Sequence, residues 1–382
     1  MHIFGQRHCA KIQRQKLSVA HFLRHGFFVS FRLNRTAAAL FLALTVLTLS
    51  AARLVPKKAA EAAGESRPSE VTQQNTAAEK SFIKWVDFGV TQTAMNKAMK
   101  LDIESADKTP HLDWIELLSV LAVKYGGDFG KFREKDLTAL ADRLRSGETI
   151  EEITGGMKYY SYFHDAYSAV LGEYLGEYSV RRPTENGGAE WVREYGLKAF
   201  SPIARGYGYS HYDDFGVSRT YGYKRRHLGH DMMGNVGTPI IAIESGRVEA
   251  LGWNQYGGWR LGIRSFDGKR YYYYAHLRKN HPYPQDLAQG QTVKAGDVIG
   301  YLGMTGYSSR ENVNNIDTPH LHMGIQLIFD ESQKDGNGEI WIDCYEIAQF
   351  LAQNTSAVTK CEETGEYMRK YDFFENSVEN IE

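Results

Sequence analysis

The stretch YGYKRRHLGHDMMGNVGTP (residues 221–239) sets an imidazole and a carboxylate, His227 and Asp231, four residues apart across a glycine, at the mouth of a region rich in strand patterns. Neutral imidazole nitrogen and carboxylate oxygen are, besides thiolate, what a zinc ion takes, so His-x-Gly-x-Asp reads first as two ligands of a divalent metal. Two ligands do not make a site. Further along, PHLHMGIQL (residues 319–327) supplies His320 and His322, and its alternation reads as a strand with both imidazoles on one face. Between the two lies YYYYAHL (residues 271–277), where the same period of two puts His276 on the face of Tyr272 and Tyr274. Each histidine alone reads as an ordinary surface or core residue. Their conjunction is what points to a metal.

The succession His-x-Gly-x-Asp, Tyr-Ala-His-Leu and Pro-His-Leu-His resembles the LytM/lysostaphin-type zinc endopeptidases, which cut peptide bonds in the bacterial cell wall; it extends over residues 200–347. This resemblance implies a mainly antiparallel β peptidase domain holding one zinc ion through His227, Asp231 and His322. It further implies that His276 and His320 flank the reacting water and that the substrate is a peptide of peptidoglycan. Three protein ligands leave a fourth position open, as in catalytic rather than structural zinc. Such an ion draws the pKa of water towards ~7 and polarises the scissile carbonyl. A hydrolase still needs a proton acceptor and donors for the oxyanion, tasks that His276 and His320 would share. No helical His-Glu-x-x-His pattern accompanies them, which excludes the helix-borne zinc proteases.

Two departures from the family stand out. SSRENVNNIDT (residues 308–318) is inserted between the Gly300, Gly303, Thr305, Gly306 turn and the His-x-His strand, where it is expected to rim the groove; after His322, MGI replaces a Phe-Glu pair. His230 is expected to point away from Asp231, His281 to sit in a loop beside Pro282, and His211, Asp213 and Asp214 to form a polar loop at the rim. A non-catalytic wall-binding or scaffold protein that keeps the fold is the alternative. The complete set of five site residues favours the enzyme.

The chain has 382 residues, enough for about two ordinary domains plus tails. A net charge of −1 gives no sign of nucleic-acid binding, while 24 Tyr and 37 Gly suit strands, tight turns and an aromatic-lined groove. Of the 3 cysteines, Cys9 stands alone near the start, and Cys344 and Cys361 are left either as a pair or as two buried thiols.

Residues 1–35 hold 7 Lys or Arg and no Asp or Glu, and TAAALFLALTVLTLSAA (residues 36–52) has no charge. This reads as a basic cytoplasmic tail and a single membrane anchor, at the short end of what a bilayer requires, with everything after Arg53 outside the cell membrane. A cleaved secretory signal is the competing reading, because Ser50-Ala51-Ala52 suits a signal peptidase; the length of the leader favours the anchor. Residues 56–81, rich in Ala, Glu, Ser and Gln, read as a flexible linker.

Residues 82–180 read as an all-α segment of unknown role. Phe82, Val86, Val90, Ala94, Ala98 and Leu101 predict one helix, Trp114 to Leu121 a second and Leu137 to Leu144 a third. A fourth, over residues 159–178, carries an aromatic stripe of Tyr160, Phe163, Tyr167, Tyr174 and Tyr178, read as core rather than as a sugar platform. Residues 181–188 are expected as an interdomain loop. Within the peptidase domain (200–351), Ser245-Gly246 and Asp267-Gly268 are expected as hairpin turns; a C-terminal tail of 352–382 follows a closing helix. The whole is therefore a multidomain chain: membrane helix, all-α segment, antiparallel β peptidase domain of lysostaphin type.

Overall fold

The computed structural model describes residues 82–220, 224–336 and 338–375. The basic tail (1–35), the anchor (36–52) and the linker (56–81) lie outside the described residues. Among the described residues, no helix is long and apolar enough to cross a membrane.

Five helices come first: α1 (Gln92–Ser105), α2 (Trp114–Tyr125), α3 (Glu134–Arg145), α4 (Ile150–Thr154) and α5 (Tyr160–Leu171). Their ends are set by local chemistry. The Asp113 carboxylate caps α2 by accepting from the backbone N–H groups of Ile115 and Glu116, and Gly126 closes it at φ 67°, a left-handed conformation that suits glycine. The first helix starts later than its apolar spacing predicts. Val86, Phe88 and Val90 are all buried at a period of two, so the segment before Thr91 is extended, and the Thr91 hydroxyl then caps α1. The fourth expected helix ends early at Leu171, and Tyr178 belongs to a strand.

That strand, β1 (Leu175–Pro183), forms a hairpin with β2 (Ala189–Leu197), so residues 181–188 are the end of one strand and a tight turn rather than a loop between domains. The chain continues through β3 (Tyr209–Tyr212), the pair β4 (Ser218–Thr220) and β5 (Lys224–Arg226), β6 (His230–Gly234), β7 (Pro239–Ile241), β8 (Gly246–Asn254), β9 (Gly258–Ser265) and β10 (Arg270–Ala275). Then come β11 (Thr292–Val293), β12 (Val298–Tyr301), β13 (His320–Leu327), β14 (Ile340–Ile342), the closing helix α6 (Tyr345–Leu351), β15 (Val358–Lys360), β16 (Tyr367–Arg369) and β17 (Phe373–Phe374).

The main sheet is antiparallel in the order β11-β8-β9-β10-β13-β6-β3, with β14 beside the far end of β13. Asp267-Gly268 does turn the chain from β9 into β10, with Gly268 at φ 74°. Ser245-Gly246 does not make a hairpin: β7 pairs with β12, so the chain there steps from a two-stranded ladder into the main sheet. Past residue 351 the chain still builds structure, since β15 pairs β16 and β17 adds to β1.

Helices and sheet share one hydrophobic cluster. Trp114 of α2 stacks on Phe350 of α6 with ring centres 5.9 Å apart. Arg270, fully buried at the start of β10, donates to the Ala169 carbonyl at the end of α5 (2.6 Å), to Glu244 through Nε and Nη2 (2.8 and 3.1 Å) and to Asp267 (2.9 Å). One guanidinium thus satisfies a helix terminus and two carboxylates at once. Cys344 and Cys361 are not joined by a disulfide; Cys344 Sγ donates to the Ile342 carbonyl.

Candidate metal centre

Three neighbouring strands put the ligand candidates together. His322 on β13 is the direct cross-strand partner of Asp231 on β6, and Ala275 of β10 pairs with His322 on its other side. His227 enters from the short loop between β5 and β6. That loop passes so close to β13 that a Cβ on Gly229 would lie 2.6 Å from the His322 ring and 2.8 Å from the Met323 carbonyl, which is why a glycine separates the two motif residues.

His227 Nε2 lies 3.1 Å from Asp231 Oδ1 and 2.9 Å from His322 Nδ1, and His322 Nδ1 lies 2.9 Å from the same Oδ1. Among the described residues, this is the one group of His, Cys, Asp or Glu side chains gathered closely enough to hold a metal ion. A zinc ion with bonds of ~2.0–2.1 Å spaces tetrahedral ligands ~3.3 Å apart, so the observed triangle fits it in size as well as in donor type. Burial by itself would raise the Asp231 carboxyl, but its hydrogen bonds with His227 and His322 outweigh that and hold it well below the usual carboxylate range. For His322, burial pushes the imidazole towards its neutral form against the opposing pull of Asp231. A neutral imidazole is the form that ligates.

His276 and His320 stand beside this triangle, with ring centres 4.8 Å apart; the His276 ring is 5.8 Å from that of His322. His276 Nδ1 donates to the Thr305 carbonyl (2.9 Å), and His320 Nδ1 to the Thr318 carbonyl (2.8 Å). A carbonyl only accepts, so each Nδ1 carries the proton of its bond and Nε2 is the nitrogen turned to the site. His276 is kept neutral chiefly by burial and then by its imidazole neighbours.

Its position corrects one expectation. His276 has φ 62°, which ends the alternation of β10 and turns the ring away from the face of Tyr272 and Tyr274. Those two tyrosines face the core, bonded to Glu244 and to the backbone N–H of Ile243, while Tyr271 and Tyr273 line the groove with His276. The Thr305 side chain secures this turn by donating to the Leu277 carbonyl and accepting from the N–H of Trp259.

Residues 225–335 match the model of peptidase family M23. This stretch is a domain of that family. Over 117 residues the chain is 38% identical to an L-Ala–D-Glu endopeptidase of Bacillus subtilis, covering 31% of this chain and 34% of the relative. Over 145 residues it is 34% identical to lysostaphin of Staphylococcus simulans, covering 38% of this chain and 24% of the relative. The chain thus spans about a quarter to a third of the length of these relatives. Among solved structures, a LytM protein from Ruminococcus gnavus aligns over 72% of this chain and 92% of its own at 22% identity, with a TM-score of 0.47.

Two residues ahead of the matched stretch were not foreseen as part of the M23 site. Asp214 does not stay at the rim: its Oδ1 lies 2.7 Å from His227 Nδ1, on the far side of that ring from the ligand triangle. Arg219 on β4 then bridges, through Nη2, Asp214 Oδ2 (2.5 Å) and Asp231 Oδ2 (2.7 Å). A carboxylate behind a metal-binding histidine fixes its tautomer and raises its basicity. The signal available in the sequence was the surplus of acid in SHYDDFG, which carries no address. His230 faces the opposite way, 2.7 Å from His211 Nδ1, and His281 pairs with Glu366. The insertion is tied down by Asn312, which accepts from Trp259 Nε1; from this region the groove takes Tyr307 and none of residues 308–318.

Proposed function

We propose that the chain is a zinc-dependent endopeptidase that hydrolyses peptide bonds of bacterial peptidoglycan. The observation that carries this reading is the convergence of His227, Asp231 and His322 beside two imidazoles whose Nδ1 atoms are held by backbone carbonyls, at a groove of about 640 Å³ lined by His227, His276 and His322. A zinc ion held by those three residues would supply a Lewis acid for the scissile carbonyl and make a water acidic near neutral pH. The chain's own part is then proton handling. His276 Nε2 takes one proton of the attacking water as general base, and the resulting imidazolium returns that proton to the departing amine; His320, with its ring centre 4.8 Å away, shares this proton handling. The backbone carbonyls of Thr305 and Thr318 hold both rings in the required tautomer.

The charge-free segment 36–52 would anchor the protein in the cell membrane with the M23 domain on the outer, wall-facing side. Digestion of purified cell wall with the full chain, followed by identification of new amino termini, tests the activity. New termini that vanish in Asp231→Ala are expected. An intact wall that nevertheless retains the protein would replace the enzyme by the scaffold reading.

A further inference from the structure

The groove over the candidate metal centre carries more positive than negative side chains, and the excess is not paired. Of its cations, Arg219 is held by Asp214 and Asp231, and Lys334 lies 3.5 Å from Glu249. Its carboxylates are likewise engaged: Glu249 with Arg264 (2.9 Å), Asp335 with Lys334 (3.9 Å), and Glu339 with the indole of Trp341 (2.7 Å). Arg225, Arg226 and Arg260 line the same groove and make no ion pair among the described residues.

Of these three, Arg225 is the one linked through Tyr307 to His276. It lies two residues before His227, and its guanidinium carbon sits 4.8 Å from the ring centre of Tyr307 and 5.6 Å from that of Tyr256. The Tyr307 ring in turn is 5.8 Å from that of His276. Arg225 Nη2 donates to the Tyr307 hydroxyl, whereas its Nε is buried without an acceptor among the described residues. Two aromatic rings therefore pre-orient a planar cation whose charge is uncompensated and whose donors are incompletely used. An arriving carboxylate would satisfy both deficits, because a guanidinium fork matches its two oxygens.

Resting on the peptidase reading above, we propose that Arg225 selects the substrate: it holds a free carboxylate of the peptide next to the scissile bond. The preferred substrates are then acidic, carboxylate-bearing wall stem peptides, and uncharged glycine bridges are poor ones. Nothing in a glycine bridge answers the positive wall of this groove.

The test compares two synthetic peptides of one wall-stem sequence, one with the carboxylate free and one with it converted to the carboxamide. Wild-type kcat/KM should favour the acid by about ten- to a hundred-fold, the range for a charge-assisted hydrogen bond. In Arg225→Gln that ratio should fall towards one, with Arg225→Lys in between because it keeps the charge and loses the fork. KM for the acidic peptide should also rise with salt more steeply than for the amide, a readout that needs no variant. Equal wild-type rates on both peptides with no difference in salt response, or an undiminished preference in Arg225→Gln, would overturn the proposal. A wall that is cut without such a preference removes this inference and leaves the peptidase reading; failure to cut wall or either peptide removes both.

Discussion

Replacing Asp214 by Asn removes the negative charge behind His227 while keeping the shape of the side chain. In the native arrangement the carboxylate lies 2.7 Å from His227 Nδ1, and it shares Arg219 with Asp231. Two effects follow. His227 loses the negative charge beside its Nδ1, which supports its Nε2 as an electron-pair donor to a metal. Arg219, relieved of one of its two carboxylates, draws harder on Asp231 and competes with a cation for that oxygen pair. Loss of such a supporting carboxylate weakens metal affinity by about ten- to a hundred-fold, or about 1.4–2.7 kcal/mol. Asp214→Ala should cost more, since it also leaves Arg219 Nη2 without one of its two oxygen acceptors. Competition of the purified variants against a chromogenic zinc chelator measures the change, with Asp231→Ala as the reference for ligand loss. If Asp214→Asn bound zinc as tightly as wild type while Asp231→Ala did not, the carboxylate would have no part in holding the metal and its approach to His227 would be only packing.

His276→Ala is expected to keep its zinc and to lose about a hundredfold or more in turnover, because its Nδ1 is committed to Thr305 and its Nε2 takes the proton; unchanged turnover on isolated wall would remove it from the mechanism. Burial, and then His211, lower the pKa of His230 from 6.5 to about 4. The unfolded chain therefore binds the extra proton first as pH falls, and about 3 kcal/mol of stability should disappear between pH 6.5 and 4. Thermal melts of chelated protein should show this slope flattened in His230→Gln, and an identical slope would exclude His230 as its source. Arg270→Ala strands Glu244, Asp267 and the end of α5, so a loss of about 3–5 kcal/mol is expected from denaturant titration, shrinking when Glu244 is removed as well; a change below about 1 kcal/mol would mean that water repairs the gap.

What the sequence determined by itself was whatever travels with short spacing. The donor types of His227 and Asp231, the glycine that lets their loop approach β13, and the alternation of HLHMGIQL are all local, and the observed strands follow them. The turn at Asp267-Gly268 is legible for the same reason: two residues suffice to define it. Errors arose where a short-range pattern had two geometric solutions. Val86, Val90 and Ala94 fit a helical spacing, but Val86, Phe88 and Val90 fit a strand, and only burial against the rest of the core separates the two. The period of β10 assigned His276 to the wrong face because a single residue at φ 62° is enough to reverse it, and that conformation is imposed by Thr305 from a distant loop. Asp214 behind His227, Arg219 between two carboxylates, Arg270 across the helix–sheet junction and β17 beside β1 were decided only by the tertiary structure. Each joins groups that local patterning cannot align, because a charge or a strand edge carries no record along the chain of which distant partner will satisfy it.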